Sequence, residues 1–432
     1  MNTRLNLGRK ELAINGGKPV RKRPWLDNFT LGKEEKQAAI KVIERGYLSL
    51  FEGSYKPEPP FSFFGGPFVQ ELEERWADFY GVKYAVSMNS ATSGLYASIG
   101  ALGIGYGDEV IVSPYTMTAC ALAPIIYGAI PIFADVNLDS GCLDANSIKE
   151  KITSRTKAIL VVHQFGIPAD MDSIMLIAKK FNLKVIEDCA QAHGAKYKGK
   201  FVGTFGDIGV FSLNVNKTIQ SGEGAVVITN NEELFYRLAL IRNHGENVVE
   251  AAKYKNITNI IGFNYRLTEI QAAIAIEQLK KLNHLNNIRL ELVEFFKEEL
   301  RKYDFIKVMG DNLDSSSLAT YYVFPFRALN FTKKERENLV NALNQEGGVF
   351  YTGYVKPLYL QPIYQKKQAF KFGYPFSAPE NIEIETNYYL GSCPNAEMLH
   401  FNELIINEHI RYPHTKKDIL DLIKIIRKVC NG

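Results

Sequence analysis

The feature that most constrains the fold is an alternation of short apolar runs with helix-length segments between residues 83 and 229. The apolar runs are rich in β-branched side chains, which favour strands. They predict strands at residues 84–88, 109–113, 130–134, 158–163, 184–187, 209–213 and 225–229. Such alternation is typical of βαβ units, so we expect an α/β fold with a mainly parallel seven-stranded sheet sandwiched by helices.

The pattern changes towards the C-terminus, where a long amphipathic helix is predicted at 268–302 and a strand at 320–326. We therefore expect an N-terminal arm (1–30), a large domain (31–290) and a smaller C-terminal α+β domain (291–432). Residues 47–66 form a long loop rich in Gly, Pro and aromatic residues. Long loops of this kind are commonly functional, and we expect this one at the mouth of a substrate site.

Composition excludes several classes of function. Lys and Arg number 51 against 47 Asp and Glu, a net charge of +4, which argues against a nucleic-acid-binding surface. No apolar run is long enough to span a membrane, and the N-terminus lacks the apolar core of a signal peptide. The five cysteines are widely spaced without a C-x-x-C motif, so we expect reduced thiols in a cytoplasmic protein and no metal site.

Two residues that follow predicted strands indicate a particular chemistry. Asp188 follows the strand at 184–187, and Lys217 lies in a polar turn after the strand at 209–213. Ligands of parallel sheets bind at the carboxyl ends of the strands. A lysine amine can form a Schiff base with the aldehyde of pyridoxal 5'-phosphate (PLP), and an aspartate can keep the pyridine nitrogen protonated. The pair therefore predicts a PLP site.

The end of the first strand indicates where the phosphate of such a cofactor would bind. Ala91 and Thr92 lie where a helix begins, and a helix N-terminus attracts anions. Ser212 is placed to make a second phosphate contact. Each feature also has an ordinary interpretation, as a helix cap, a strand-end serine or aspartate, or a solvated lysine. Their occurrence together, in this strand order, favours the cofactor site.

Several blocks of sequence extend this argument to a family. They are 65–69 (GGPFV), 89–95 (NSATSGL), 107–112 (GDEVIV), 162–166 (VHQFG), 186–194 (IEDCAQAHG), 211–217 (FSLNVNK), 222–224 (GEG), 242–245 (RNHG) and 262–273 (GFNYRLTEIQAA). From about residue 30 onward the chain resembles the DegT/StrS family of sugar aminotransferases, which are fold-type I PLP enzymes. The resemblance implies the fold-type I architecture with a smaller C-terminal domain.

The resemblance also implies roles for single residues. Lys217 and Asp188 would be catalytic, with Lys217 linked to the cofactor and Asp188 paired with the pyridinium nitrogen. The other implied cofactor contacts are Gln191 at the phenolic oxygen, Ala91, Thr92 and Ser212 at the phosphate, and Asn264 at the phosphate of a neighbouring subunit. The last contact implies a homodimer with shared active sites. Family members usually carry an aromatic residue that stacks on the cofactor at the position of Met117, and Tyr115 lies two residues earlier.

The implied reaction moves an amino group from glutamate or glutamine to a ketone. The acceptor would be a keto sugar, which we expect to be nucleotide-linked, or a cyclitol, in the synthesis of a surface polysaccharide or an antibiotic. Candidate substrate contacts are Tyr115, His163, His244, Tyr351 and Tyr354, while His163 also suits a core imidazole. The basic cluster at 21–23 suits either a nucleotide diphosphate or a solvated surface.

Three alternatives remain at the level of sequence. A PLP-dependent sugar dehydratase of this fold carries histidine at the position of Lys217, which ranks that reaction lower. A dinucleotide-binding oxidoreductase lacks support because no G-x-G-x-x-G motif follows the first strand. A catalytically silent protein of the same fold is disfavoured by the presence of both Lys217 and Asp188. The sequence leaves open the acceptor, the carbon that is aminated and the amino donor.

Overall fold

A seven-stranded sheet lies at the centre of the first part of the chain. The computed structural model describes residues 5–56, 58 and 61–431. Residues 1–4 of the predicted arm, residues 57, 59 and 60 of the predicted aromatic loop and residue 432 lie outside the described part. The first nine described strands are β1 (Tyr84–Met88), β2 (Glu109–Val112), β3 (Ile130–Phe133), β4 (Thr156–Val162), β5 (Lys184–Asp188), β6 (Lys196–Tyr197), β7 (Lys200–Phe201), β8 (Ile208–Ser212) and β9 (Ala225–Thr229).

The order of strands in this sheet is β1-β9-β8-β5-β4-β2-β3. Strand β9 is antiparallel to both of its neighbours, and the other pairs in the sheet are parallel. Strands β6 and β7 form a separate hairpin. Every residue of β8 and β9 is buried, as expected of strands covered on both faces. The prediction of a mainly parallel seven-stranded sheet is confirmed.

Helices cover both faces of the sheet and continue into the C-terminal part. They are α1 (Lys33–Glu44), α2 (Pro67–Tyr80), α3 (Ala91–Ala101), α4 (Ala119–Ile126), α5 (Ala145–Lys151), α6 (Met171–Phe181), α7 (Glu232–Arg242), α8 (Glu269–Leu300), α9 (Lys333–Gln345), α10 (Pro362–Gln365), α11 (Pro394–Met398) and α12 (Lys416–Cys430). A capping box of Thr268 and Gln271 begins α8. Helix α8 passes through residue 290 without interruption, and the division of the chain into domains there stays a prediction.

Close contact between α3 and the sheet depends on one glycine. A Cβ atom at Gly94 would lie 2.9 Å from side-chain atoms of both Val210 and Val227. Because Gly94 has no side chain, the first turn of α3 packs directly on β8 and β9. The N-terminus of α3 is thereby held beside the carboxyl end of β8.

The C-terminal part contains a four-stranded antiparallel sheet with the order β10-β11-β13-β12. Its strands are β10 (Ile306–Val308), β11 (Phe324–Ala328), β12 (Phe350–Thr352) and β13 (Leu404–Asn407). The strand predicted at 320–326 therefore begins later than expected. Tyr321 has a positive φ of 46°, so the backbone turns just before β11. This turn brings the following residue, Tyr322, over the large sheet.

The N-terminal arm is anchored on the C-terminal part. The buried carboxylate of Glu346 accepts backbone N–H groups of Ala13 and Val20 and also binds the Lys428 amine at 2.8 Å. The indole N–H of Trp25 donates to the carbonyl of Gly347 at 2.9 Å. The arm thus runs from the C-terminal part towards the edge of the large sheet.

The aromatic loop packs on α7 and the residue that follows it. The side-chain amide of Asn243 donates to the carbonyls of Glu52 and Phe63, and the Phe64 ring stacks on Phe235. Tyr47 remains 53% exposed. The loop is therefore held along its described length, and its predicted place at a substrate mouth stays a prediction.

Candidate active site

Asp188 ends strand β5 near the middle of the large sheet, where its sheet neighbour is Val210 of β8. The carboxylate is buried and has two donors. The Ala190 N–H donates to Oδ1 at 2.9 Å, and the Cys120 thiol donates to Oδ2 at 3.1 Å. Burial and the nearby Asp188 charge raise the pKa of Cys120 far above its ordinary value, so the thiol keeps its proton. The two hydrogen bonds fix both oxygens of the Asp188 carboxylate.

Lys217 lies in the turn after β8. Its backbone N–H donates to the carbonyl of Asn214, and its own carbonyl accepts the side-chain amide of Asn28, both at 2.9 Å. The amine lies 4.4 Å from the ring centroid of Tyr322. Burial lowers the pKa of Lys217, although the Asp188 charge acts in the opposite direction. A lowered pKa increases the fraction of neutral amine, the form that acts as nucleophile or base.

Backbone N–H groups and a hydroxyl suited to an anion lie between the start of α3 and the end of β8. Ser90 caps the helix, and its Oγ accepts the N–H of Ser93 at 3.1 Å. The first N–H group to donate within the helix is that of Gly94, to the carbonyl of Ser90, so the helix itself gives the N–H groups of Ala91 and Thr92 no partner. The hydroxyl of Ser212 lies at the end of the neighbouring strand. Two free N–H groups, a hydroxyl and the helix dipole are suited to a phosphate.

The side chain of Gln191 is held in one orientation. Its Oε1 accepts the backbone N–H of Phe165 at 2.8 Å, and its amide nitrogen donates to the hydroxyl of Tyr354 at 3.3 Å. Phe165 adopts a positive φ of 59°, and this conformation aims its N–H at Gln191. The amide nitrogen is therefore the end of Gln191 available to an acceptor oxygen in the site.

Tyr115 and Met117 lie at different depths. Tyr115 is fully buried, and its hydroxyl accepts the backbone N–H of Tyr354 at 2.7 Å. Met117 precedes α4 and is 51% exposed. Of the two, Met117 is accessible to a bound ring, and a thioether packs well on an aromatic face. Tyr115 lies beneath the site and fixes the segment that carries Tyr354.

Three further predicted residues, Asn264, His244 and Tyr351, lie on other segments of the chain. Asn264 is exposed, and its carbonyl accepts the side-chain amide of Asn89 at 3.4 Å, just before α3. His244 adopts a left-handed conformation with φ of 50° after α7. Tyr351 lies on β12 and is 48% exposed. The structure places Asn264 near the start of α3, while the substrate contacts predicted for the other two stay predictions.

The family model of the DegT/DnrJ/EryC1/StrS aminotransferases matches residues 61–378, which is most of the chain. This chain belongs to the DegT/DnrJ/EryC1/StrS aminotransferase family. It is 38% identical over 305 residues to GDP-perosamine synthase of Escherichia coli O157:H7, an alignment that covers 70% of this chain and 81% of that protein.

Two other proteins align over nearly the whole length of this chain. The putative L-glutamine:3-amino-2,3-dideoxy-scyllo-inosose aminotransferase of Micromonospora echinospora is 30% identical over 97% of both chains. The solved structure of S. venezuelae DesV in complex with a ketimine intermediate superposes with a TM-score of 0.76 at 29% identity, covering 92% of this chain and 95% of DesV. The family resemblance, the fold class and the aminotransferase activity predicted from sequence are confirmed, and members of this family depend on PLP.

Sequence reasoning missed several residues of this aminotransferase site. Cys120 contacts Asp188, Asn28 and Tyr322 contact Lys217, and Arg289 donates to the hydroxyl of Thr218 at 2.8 Å. No sequence motif links these positions to the catalytic pair, since most lie about 70 or more residues away in the chain. The long-range packing of arm, sheet and C-terminal part brings them together.

The structure places His163 inside the protein. Its Nδ1 accepts the N–H of Ala169 at 3.1 Å, so Nε2 carries the proton and donates to Glu187 at 3.0 Å. A substrate contact would require these bonds to break. Cys189 lies near this pair, and the three side chains have metal-ligand atoms within 4.8 Å of one another. Burial raises the pKa of Cys189 far above its ordinary value, which opposes the thiolate that a metal requires.

The basic cluster at residues 21–23 is engaged by acidic groups. Arg21 binds Asp418 at 3.1 Å and Asp421 at 2.9 Å, and its guanidinium lies 3.9 Å from the Trp25 ring centroid. Arg23 binds Asp418 at 2.6 Å. The diphosphate contact considered from sequence is therefore wrong for Arg21, which holds the arm on α12.

In the described part of the chain, no helix is long and apolar enough to span a membrane.

Proposed function

We propose that this protein binds PLP and transfers an amino group from glutamate or glutamine to the ketone of a nucleotide-linked sugar or a cyclitol. One observation carries the proposal: Lys217 and Asp188 lie at the carboxyl ends of adjacent strands, each in an environment suited to its role. The acceptor classes are supported by relatives named GDP-perosamine synthase and inosose aminotransferase. The pathway would be amino-sugar synthesis for a surface polysaccharide or an antibiotic.

The side chains present suit each part of PLP. The carboxylate of Asp188 would pair with the ring nitrogen, and the amide nitrogen of Gln191 would donate to the phenolic oxygen. The N–H groups of Ala91 and Thr92, with the hydroxyl of Ser212, would hold the phosphate. We propose that Met117, rather than the buried Tyr115, packs on the ring face.

Proton transfer is the main chemical task of the protein in this reaction. When bound, PLP supplies an electron sink for the charge left on a substrate carbon that loses its proton. The Nζ of Lys217, kept partly neutral by burial, accepts the proton from the α-carbon of the amino donor and later returns one to the substrate side. The two donors on Asp188 would hold its carboxylate in place beside the ring nitrogen.

Two alternative functions on the same fold receive less support. A dehydratase would carry histidine where this chain has Lys217, and the relatives reported above are named as a perosamine synthase and an aminotransferase. A silent protein would not need Lys217 and Asp188 at adjacent strand ends, with Asp188 buried and hydrogen-bonded. We also propose a homodimer, in which the exposed Asn264 reaches the phosphate of the neighbouring subunit. The predicted cytoplasmic location stays a prediction.

The test is covalent trapping of the cofactor. Purified protein is incubated with PLP, reduced with borohydride and digested, and the modified peptide is identified by mass spectrometry. We expect modification at Lys217, loss of it in Lys217→Ala, and no effect of Lys198→Ala, which removes an exposed lysine. Glutamate added before reduction should reduce the labelling, because the amino group displaces the lysine. Labelling elsewhere, or none, would overturn the proposal.

A further inference from the structure

Two arginines close to Lys217 have no acidic partner. Arg289 lies on α8 and is almost completely buried, at 3% exposure. Its Nη1 donates to the hydroxyl of Thr218, the residue after Lys217, at 2.8 Å. Its Nε is buried and has no hydrogen-bond partner. A guanidinium in this situation retains unused donors beside the catalytic turn.

Arg411 reaches the same region from the C-terminal part. Strands β11 and β13 are antiparallel, with Phe324 opposite Asn407, so the segment before β11 and the segment after β13 share one edge of the small sheet. Tyr322 lies at that edge and contacts the Lys217 amine. Arg411 follows β13 by four residues, and its Nε is also buried without a partner.

The arm closes this region from a third direction. The N–H of Leu26 donates to the Nε2 of His414 at 3.0 Å, and the other ring nitrogen of His414 bonds the carbonyl of Arg411 at 3.1 Å. Two residues further along the arm, Asn28 donates to the carbonyl of Lys217. Hydrogen bonds therefore join the arm both to the segment after β13 and to the Lys217 turn.

The positive charges of Arg289 and Arg411 have no close partner of opposite charge among the described residues. No carboxylate of the described chain lies within 4.0 Å of the Arg289 or Arg411 guanidinium, while the more distant Glu408 and Asp27 act on Arg411. Burial, and then the like charge of Arg411, lower the pKa of Arg289 to about 9. Buried cations without partners are costly, and a bound anion removes that cost.

We propose that Arg289 and Arg411 form an anion-binding subsite beside Lys217 that takes a carboxylate or phosphate group carried by a substrate. The inference rests on the proposed function, since it identifies a chemical group that one of the two substrates must present. The fork of a guanidinium matches both anions in bidentate geometry. The carboxylate would come from the amino donor, and the phosphate from a nucleotide-linked acceptor.

Calorimetric binding to the PLP-loaded protein tests the subsite with two unreactive probes, glutarate and inorganic pyrophosphate. Arg411→Gln removes one guanidinium. We expect it to weaken binding of the probe that occupies the subsite by about 10- to 100-fold, as for a charge-assisted hydrogen-bonded pair. Arg411→Lys retains the charge and should recover part of the affinity. Arg75→Gln is the matched control, because Arg75 is an exposed helical residue whose one ion pair among the described residues is with Glu71.

The two probes separate the sources. Weakened glutarate binding alone assigns the subsite to the amino donor, and weakened pyrophosphate binding alone assigns it to the acceptor. The proposal is overturned if the wild-type protein binds neither probe. It is also overturned if Arg411→Gln binds glutarate and pyrophosphate as tightly as Arg75→Gln does, even where Arg411→Gln contains less PLP. Failure of the proposed function has a different signature, because it would remove the borohydride label at Lys217 while probe binding remained measurable on protein without PLP.

Discussion

The hydrogen bond from Cys120 to Asp188 leads to a quantitative prediction. The Cys120 Sγ lies 3.1 Å from Oδ2, and Asp188 is only 6% exposed. In Cys120→Ala, water therefore has little room to replace the lost donor. The Asp188 carboxylate would retain only the Ala190 N–H, which acts on the other oxygen. We expect the Asp188 carboxylate to be held less firmly against the ring nitrogen of the cofactor, so the rate of amino transfer should fall.

The size of the effect follows from the kind of bond. Hydrogen bonds to charged groups contribute about 1.5–3 kcal/mol, and a thiol is a weak donor, so we take about 1 kcal/mol. Since about 1.4 kcal/mol corresponds to a factor of ten, the half-reaction with glutamate should slow about fivefold. Cys120→Ser keeps a donor at the same position and should stay within about twofold of wild type.

The assay is stopped-flow absorbance of the PLP-loaded protein mixed with glutamate, with thermal unfolding measured in parallel. Cys142→Ala is the matched control, because Cys142 is equally buried and its thiol donates to the carbonyl of Ile167 at 3.3 Å instead of to a carboxylate. Both alanine variants lose the same atoms and should lose similar stability. Equal rates for Cys120→Ala and Cys120→Ser would refute the role assigned to the thiol.

Three further predictions follow from the same structure. Asp188→Asn should still bind PLP but lose most of the half-reaction rate, because the charge beside the ring nitrogen is lost; full activity would contradict the pairing. Gly94→Ala places a Cβ 2.9 Å from the Val210 side chain and should cost about 1–3 kcal/mol, with an unchanged melting temperature as the contrary result. Arg427 hydrogen bonds lower the pKa of Glu299 to about 2, so Glu299→Gln should be less stable than wild type above pH 4.5, and denaturant titrations should show the difference shrinking as pH falls towards 2. A difference independent of pH would show that the loss is not electrostatic.

Much of the large sheet was predictable because its signals are local. The apolar runs at residues 84–88 and 225–229 coincide with observed strands, since strands buried on both faces are continuously apolar. Errors occurred where the signal was interrupted. The strand predicted at 320–326 begins at Phe324 because Tyr321 takes a left-handed conformation, which a run of β-branched and aromatic residues does not reveal.

The residues of the candidate site likewise divide into those with a local sequence signal and those whose contacts depend on packing. Lys217 and Asp188 were predicted from sequence because each lies at the end of an apolar strand, and a parallel sheet brings the carboxyl ends of its strands to one edge. The Arg21 contact was misjudged because its charge alone does not show that α12 supplies two aspartates to it. Local pattern identifies the chemical groups, and their partners depend on packing.

The sequence by itself therefore determined the α/β architecture and the family, and it predicted Lys217 and Asp188 as the catalytic pair, because strand periodicity and strand-end position are encoded by neighbouring residues. Only the tertiary structure decided what surrounds that pair. Asn28, Tyr322 and Arg289 contact the Lys217 turn from three distant segments, and Cys120 lies against Asp188. Contacts between such segments depend on how arm, helices and small sheet pack against the large sheet, and no local periodicity records that packing.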